Sequence, residues 1–136
     1  MAGYSGKPLI DKLGVKRGAR VALVSAPDGF ESALEPLPHG AVVGRRLNKG
    51  TDVAVVFSTS RAELGRKWDR VTRAVGPTAA VWVAWPKKAS GVPTDMTEHV
   101  VREIVLPTGW VDVKVCAIDD VWSGLKCVLR LEHRAP

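Results

Sequence analysis

The spacing of apolar and polar positions changes several times along the chain, and each change marks an element. Three stretches are continuously apolar over strand length: 20–26 (RVALVSA), 52–58 (DVAVVFS) and 78–85 (TAAVWVAW). Runs without polar alternation belong to strands covered on both faces, as in parallel sheets flanked by helices. Between the second and third, Ser60-Arg61-Ala62-Glu63 has capping-box spacing. It opens a stretch with Leu64, Trp68, Val71 and Val75 at helical intervals, closed by Gly76-Pro77.

Smaller signals fill the gaps. Ser5 can cap a short helix with Pro8 in its first turn, Leu9, Ile10 and Leu13 as its stripe and Gly14 as its stop. Asp28-Gly29-Phe30-Glu31 repeats the capping spacing ahead of a short helix with Phe30 and Leu34 on one face. Residues 41–47 read as a strand with a polar end, and Asn48-Lys49-Gly50 as a turn. Thr94 or Asp95 caps a helix carrying Met96, Val100, Ile104 and Val105.

The last two segments, 110–119 (WVDVKVCAID) and 125–131 (LKCVLRL), alternate polar and apolar positions as half-exposed strands do. Joined by a turn at 120–124, they predict an antiparallel hairpin. The pattern as a whole predicts an α/β fold: three-layer, Rossmann-like, with a mostly parallel sheet and a C-terminal antiparallel hairpin. No internal repeat or low-complexity linker divides the chain, so residues 1–136 are expected to form one domain, a length sufficient to bury a core.

This order resembles a trimmed class I methyltransferase core. LGVKRGARVALV resembles the approach to the first strand of that family and DVAVVFSTS the strand that ends under the substrate. GPTAAVWVAWPK resembles the next crossover, and WVDVKVCAIDDVWSGLKCVLRL the terminal hairpin. The likeness runs from about Leu13 to Leu131, with one strand–helix unit fewer. The WPKKASG and DDVWSGLK segments also resemble a small bacterial family without an assigned activity. The methyltransferase likeness implies a glycine-rich turn after the first strand and an acidic residue at the end of the second. Here the turn is Ser25-Ala26-Pro27-Asp28-Gly29-Phe30, with one glycine and a proline that lacks a donor, and Arg45-Arg46 stand at the second position. The resemblance therefore carries over the scaffold, while the usual pose of S-adenosylmethionine or NAD does not follow from it. The cofactor stays unknown.

Charge adds one element to this picture. The net charge of +6 points to anionic partners: nucleotides, phosphorylated metabolites, acidic proteins or nucleic acid. The basic residues fall into three groups, Lys16/Arg17/Arg20, Arg45/Arg46/Lys49 and Arg66/Lys67/Arg70/Arg73. The third lies on a predicted helix beside Glu63 and Asp69 and reads as a solvated face. A nucleic-acid footprint would need the groups to converge on one surface. The two cysteines, Cys116 and Cys127, form no CxxC and no Cys/His cluster, so neither a zinc site nor a disulfide scaffold is expected. A hairpin centred on Val121-Trp122 would set them opposite each other. Without a signal-like leader or about 18 consecutive apolar residues, the expected setting is cytoplasmic, with no membrane contact.

In open α/β sheets a ligand sits beyond the carboxyl ends of the strands. The loop 85–94 there holds Lys87, Lys88 and Ser90 before the helix at Asp95, a candidate anion cradle. Residues 119–124 offer Asp119-Asp120 and Trp122, a carboxylate pair beside a ring that could stack on a planar ligand. Asp28, Asp95 and Asp120 would position loops or hydroxyls. Ser58, Ser60 and Ser90 carry no nucleophile motif, and His39, His99 and His133 are dispersed. The expected function is a module binding an anionic small molecule at that edge. A protein–protein adaptor on the same edge and a divergent methyltransferase-like enzyme are the alternatives.

Overall fold

A computed structural model describes residues 7–134. Ser5, the expected first cap, lies outside that range. Six strands form one sheet: β1 (Arg20–Val24), β2 (Val42–Gly44), β3 (Val53–Phe57), β4 (Ala80–Pro86), β5 (Trp110–Ala117) and β6 (Trp122–Leu129). Their spatial order is β2-β1-β3-β4-β6-β5. The first four are parallel, and β6 lies antiparallel to both β4 and β5. The continuous apolar runs are the sheet's centre because both their faces are covered. Every residue of β3 is buried.

The helices α2 (Arg61–Ala74) and α3 (Glu98–Val105) cover one face. Leu64, Trp68 and Val71 of α2 and Val101 and Val105 of α3 pack there on Val56, Val83 and Leu125. The other face is covered by the short α1 (Leu9–Leu13) and a 3-10 segment (Phe30–Leu34). Leu13, Phe30 and Leu34 meet Val55, Phe57, Trp82 and Ile118 on that side. Trp82 donates its indole N–H to the Leu13 carbonyl at 3.2 Å, which pins α1 to the sheet.

Capping follows the sequence at α2 and departs from it elsewhere. Ser60 accepts from the Glu63 N–H, as its capping box requires. At α3 the cap is Thr97, which accepts from the Val100 N–H. Thr94 and Asp95 are turned to the neighbouring loop instead: Thr94 Oγ1 donates to the Thr59 carbonyl, and Asp95 accepts from the Arg61 N–H at 2.7 Å. The face of α3 that packs on the sheet carries Val101 and Val105, both fully buried, while Val100 is only partly buried. The Asp28 capping box does not form either. Gly29, at φ 77°, precedes a 3-10 segment with no side-chain cap.

The hairpin is displaced from its expected register. Asp119 Oδ1 accepts from the N–H groups of Val121 and Trp122, both at 2.8 Å, and closes the turn early. Trp122 is consequently the first residue of β6, paired with Pro86, and not a turn residue. Cys116 pairs with Gly124 and Cys127 with Asp112, with an irregularity between Asp112 and Lys114. The two thiols thus pack on opposite faces of the sheet and cannot face each other. Burial pushes the Cys127 thiol up to about 12 and raises Cys116 as well. Thiol titration of the folded protein should accordingly show Cys116, half-buried, reacting slowly and Cys127 reacting only after unfolding. Exposure to oxidant should leave both titratable in the unfolded chain; an intramolecular disulfide would contradict the register.

Among the described residues, no helix is long and apolar enough to cross a membrane.

Candidate functional site

The parallel strands all end on one edge, where β1 delivers Ser25 and β3 delivers Ser58 and Thr59. Ser25 has φ 59°, a left-handed conformation found at no other non-glycine among the described residues. A side chain held there costs about 1–3 kcal/mol, a strain that clusters at ligand-binding turns. Beside it a groove of about 310 Å³ is lined by Ser25, Ser58, Thr59, Glu63, Lys67 and Trp122. A second hollow of about 370 Å³ shares Ser25, Glu63 and Lys67 with it and adds Arg66 and Arg70.

Lys67 is the cation at the junction. The sequence placed it on a solvated helix face, but its side chain is only 20% exposed and turns toward the sheet. Its Nζ donates to the Phe57 carbonyl at 2.8 Å and lies 4.0 Å from Glu63 Oε1. Burial lowers its pKa below the ordinary lysine value; Glu63 opposes that shift, while the charges of Arg70 and Arg66 add to it. An ammonium has three donors, so one bond to Phe57 leaves capacity for a ligand. Sequence spacing could not reveal this, because Lys67 adjoins the buried Trp68 on the helix and only packing against β3 decides which way it leans.

Trp122 lies half-buried on the α1 side, edge-to-face with Phe57 at 5.0 Å between centroids; Phe57 packs in turn on Phe30 at 4.9 Å. The ring closes the end of the core and contributes one wall of the groove.

The other expected residues are distributed around this point. Lys87 donates its backbone N–H to the Val121 carbonyl at 2.8 Å, which ties the 85–94 loop to the Trp122 turn. Ser90 Oγ donates to the Lys87 carbonyl at 2.7 Å and accepts from the Val92 N–H, so it closes its own turn. Lys88 is exposed, and Lys87, Lys88 and Ser90 line neither groove. Asp95 fixes the start of α2 through Arg61. Asp28 and Asp120 are exposed, and Asp119 rather than Asp120 orders its turn. Ser58 Oγ is bonded to the backbone of Ser60, and Ser60 caps α2, so neither hydroxyl is free as a nucleophile. His39, His99 and His133 are exposed and lie on separate elements. No group of three or more His, Cys, Asp or Glu side chains able to hold a metal ion occurs among the described residues.

The fold and the placement of this edge define a Rossmann-like α/β protein of the class I methyltransferase architecture. No protein-family model and no curated sequence matches the chain. Solved structures do. A SAM-dependent methyltransferase from Aquifex aeolicus matches at TM-score 0.66 and 13% identity, over 88% of this chain and 86% of that one. A putative type 11 methyltransferase from Sulfolobus solfataricus matches at TM-score 0.65 and 10% identity, over 96% and 94%. The B. subtilis M1A22 tRNA methyltransferase TrmK matches at TM-score 0.54 and 11% identity, over 91% of this chain and 66% of that one. At such identities the likeness establishes the fold.

The residues do not fit S-adenosylmethionine in the pose that fold suggests. The turn after β1 has Pro27 without a donor and Gly29 as its one glycine, and it enters a 3-10 segment in place of a long helix. At the end of β2, where a ribose-binding carboxylate is expected, Arg45 is paired with Glu31 at 3.2 Å and Arg46 adjoins it.

Proposed function

We propose that this chain binds an anionic small molecule, a nucleotide or phosphorylated metabolite, in the groove at the carboxyl ends of β1 and β3. The observation that carries the reading is the convergence there of the strained Ser25, the half-buried Lys67 and Trp122. A partly desolvated lysine in a cleft is suited to bind an anion, because the charge it meets restores what burial removed. Arg66 and Arg70 extend the positive lining, and the indole supports a planar group. Lys87 and Lys88 stand on the loop tied to Trp122 and are available to a ligand longer than the groove.

A divergent methyltransferase-like enzyme is the second reading, favoured by the fold likeness. An adaptor role fits less well, since Trp122 lies against Phe57 rather than standing free as an anchor.

Thermal unfolding with ATP, acetyl-coenzyme A and S-adenosylmethionine separates these readings. A ligand at about a hundred times its Kd adds roughly 2.7 kcal/mol of stability. Stabilisation by ATP or acetyl-coenzyme A should disappear in Lys67→Met and persist in Lys114→Met. Stabilisation by S-adenosylmethionine alone would favour the enzyme reading. No shift with any of the three would remove both.

A further inference from the structure

The three basic groups, separate in sequence, meet along one side of the molecule. Lys16 and Arg17 line a groove of about 410 Å³ at the amino ends of β1, β3 and β4. It adjoins, through Gly18, a second groove of about 400 Å³ along β2 that holds Arg20, Arg45 and Arg46. Arg45 is shared with a third hollow containing Arg70, and Arg70 with the hollow that contains Arg66. The grooves therefore form a continuous band around the β2 edge.

Carboxylates along this band are few and engaged. Asp52 accepts from the Arg20 N–H, Glu31 pairs with Arg45, and Glu63 faces Lys67. Lys16, Arg17, Arg46, Arg66 and Arg70 form no ion pair with a described carboxylate. On the far side the acids are matched to bases: Glu98 and Asp112 hold Arg102, and Glu103 holds Arg61. Arg66 and Arg70 sit four residues apart on α2, a like-charge spacing that opposes the helix. Five such cations gathered along one continuous band, two of them at a like-charge spacing, point to a polyanion that neutralises them.

We infer that the β2 edge is a landing surface for the phosphate backbone of a nucleic-acid duplex. β1, five residues long, spans about 17 Å. A duplex carries one charge per about 1.7 Å of its axis with both strands counted, so a stretch of that length holds roughly ten phosphates, of which the band meets those on the side turned toward it. A duplex fits better than a single strand because the described aromatic rings line none of these band grooves, and single-strand surfaces use such rings to stack bases. Contacts of this kind position a duplex without reading its sequence.

The test compares wild type with Arg17→Gln/Arg20→Gln/Arg46→Gln and with a charge-matched control, Lys114→Gln/Arg130→Gln/Arg134→Gln. Circular dichroism first verifies that each variant folds. Fluorescence anisotropy then follows binding of a labelled duplex of roughly 20 base pairs at about 50 mM salt. The band variant should bind at least about tenfold more weakly. Its dependence of log Kd on log salt should flatten by about 0.9 for each phosphate that the protein no longer neutralises. The control should stay close to wild type. Equal weakening in both variants, absence of wild-type binding, or tighter binding of the single strand or of polyglutamate would overturn the inference. Any thermal shift given by ATP should survive in the band variant, so this surface and the Lys67 groove stand or fall separately.

Discussion

Replacing Trp82 with alanine is expected to lower the unfolding free energy by about 3–5 kcal/mol. That is a large part of the roughly 5–15 kcal/mol that holds a typical domain folded. The side chain has no exposed surface and occupies the middle of β4, on the face shared by α1 and the 3-10 segment. Two losses add. Removing the indole opens a cavity among Leu13, Val55 and Ile118, which rigid strands cannot collapse to fill. The Leu13 carbonyl also loses its donor at the point where α1 joins the sheet. Denaturant titration should show the midpoint fall sharply with little change in slope. Trp82→Phe, which keeps much of the volume but not the donor, should lie between alanine and wild type. A Trp82→Ala protein as stable as wild type would mean that the α1 layer is not packed as described.

Gly124→Val is expected to destabilise by about 1–3 kcal/mol through overpacking. A Cβ at this position would come within 2.8 Å of Ile118 Cδ1 and 3.1 Å of Trp82 Cε3. The isoleucine methyl can shift, but the indole is fixed by its hydrogen bond and by the strands beside it. Gly65→Ala is the contrasting case. Nothing lies within 4 Å of a Cβ at Gly65, on the exposed side of α2, so helix propensity should make that change stabilising by up to about 1 kcal/mol. Opposite signs for two glycine substitutions, read in the same denaturant assay, would confirm that β6 approaches β4 with no room at Gly124.

These residues also show how much of the molecule was legible in advance. The apolar runs at β1, β3 and β4 and the stripe of α2 announced themselves, since burial on both faces or on one face imposes a local spacing that survives in the sequence. The α3 cap and the hairpin register did not. Thr94, Asp95 and Thr97 are all plausible caps by type, and the choice fell to Thr97 because Thr94 and Asp95 were drawn to Thr59 and Arg61. Likewise Asp119 and Asp120 are equivalent in sequence, and only the closure of the turn by Asp119 started β6 at Trp122 and moved Cys116 and Cys127 to opposite faces.

The candidate site divides along the same line. The sequence by itself determined that the parallel strands would end on one edge, that Trp122 would stand there and that the chain would carry a net positive charge. Those properties depend on composition and on local periodicity. Only the tertiary structure decided that Lys67 leans back onto the Phe57 carbonyl, that Ser25 takes a left-handed conformation, and that residues 16–20, 45–46 and 66–70 share one side. The reason is physical: helical spacing fixes which residues share a face of α2, whereas the partner that draws a long, flexible cation to one side belongs to a strand ten residues away.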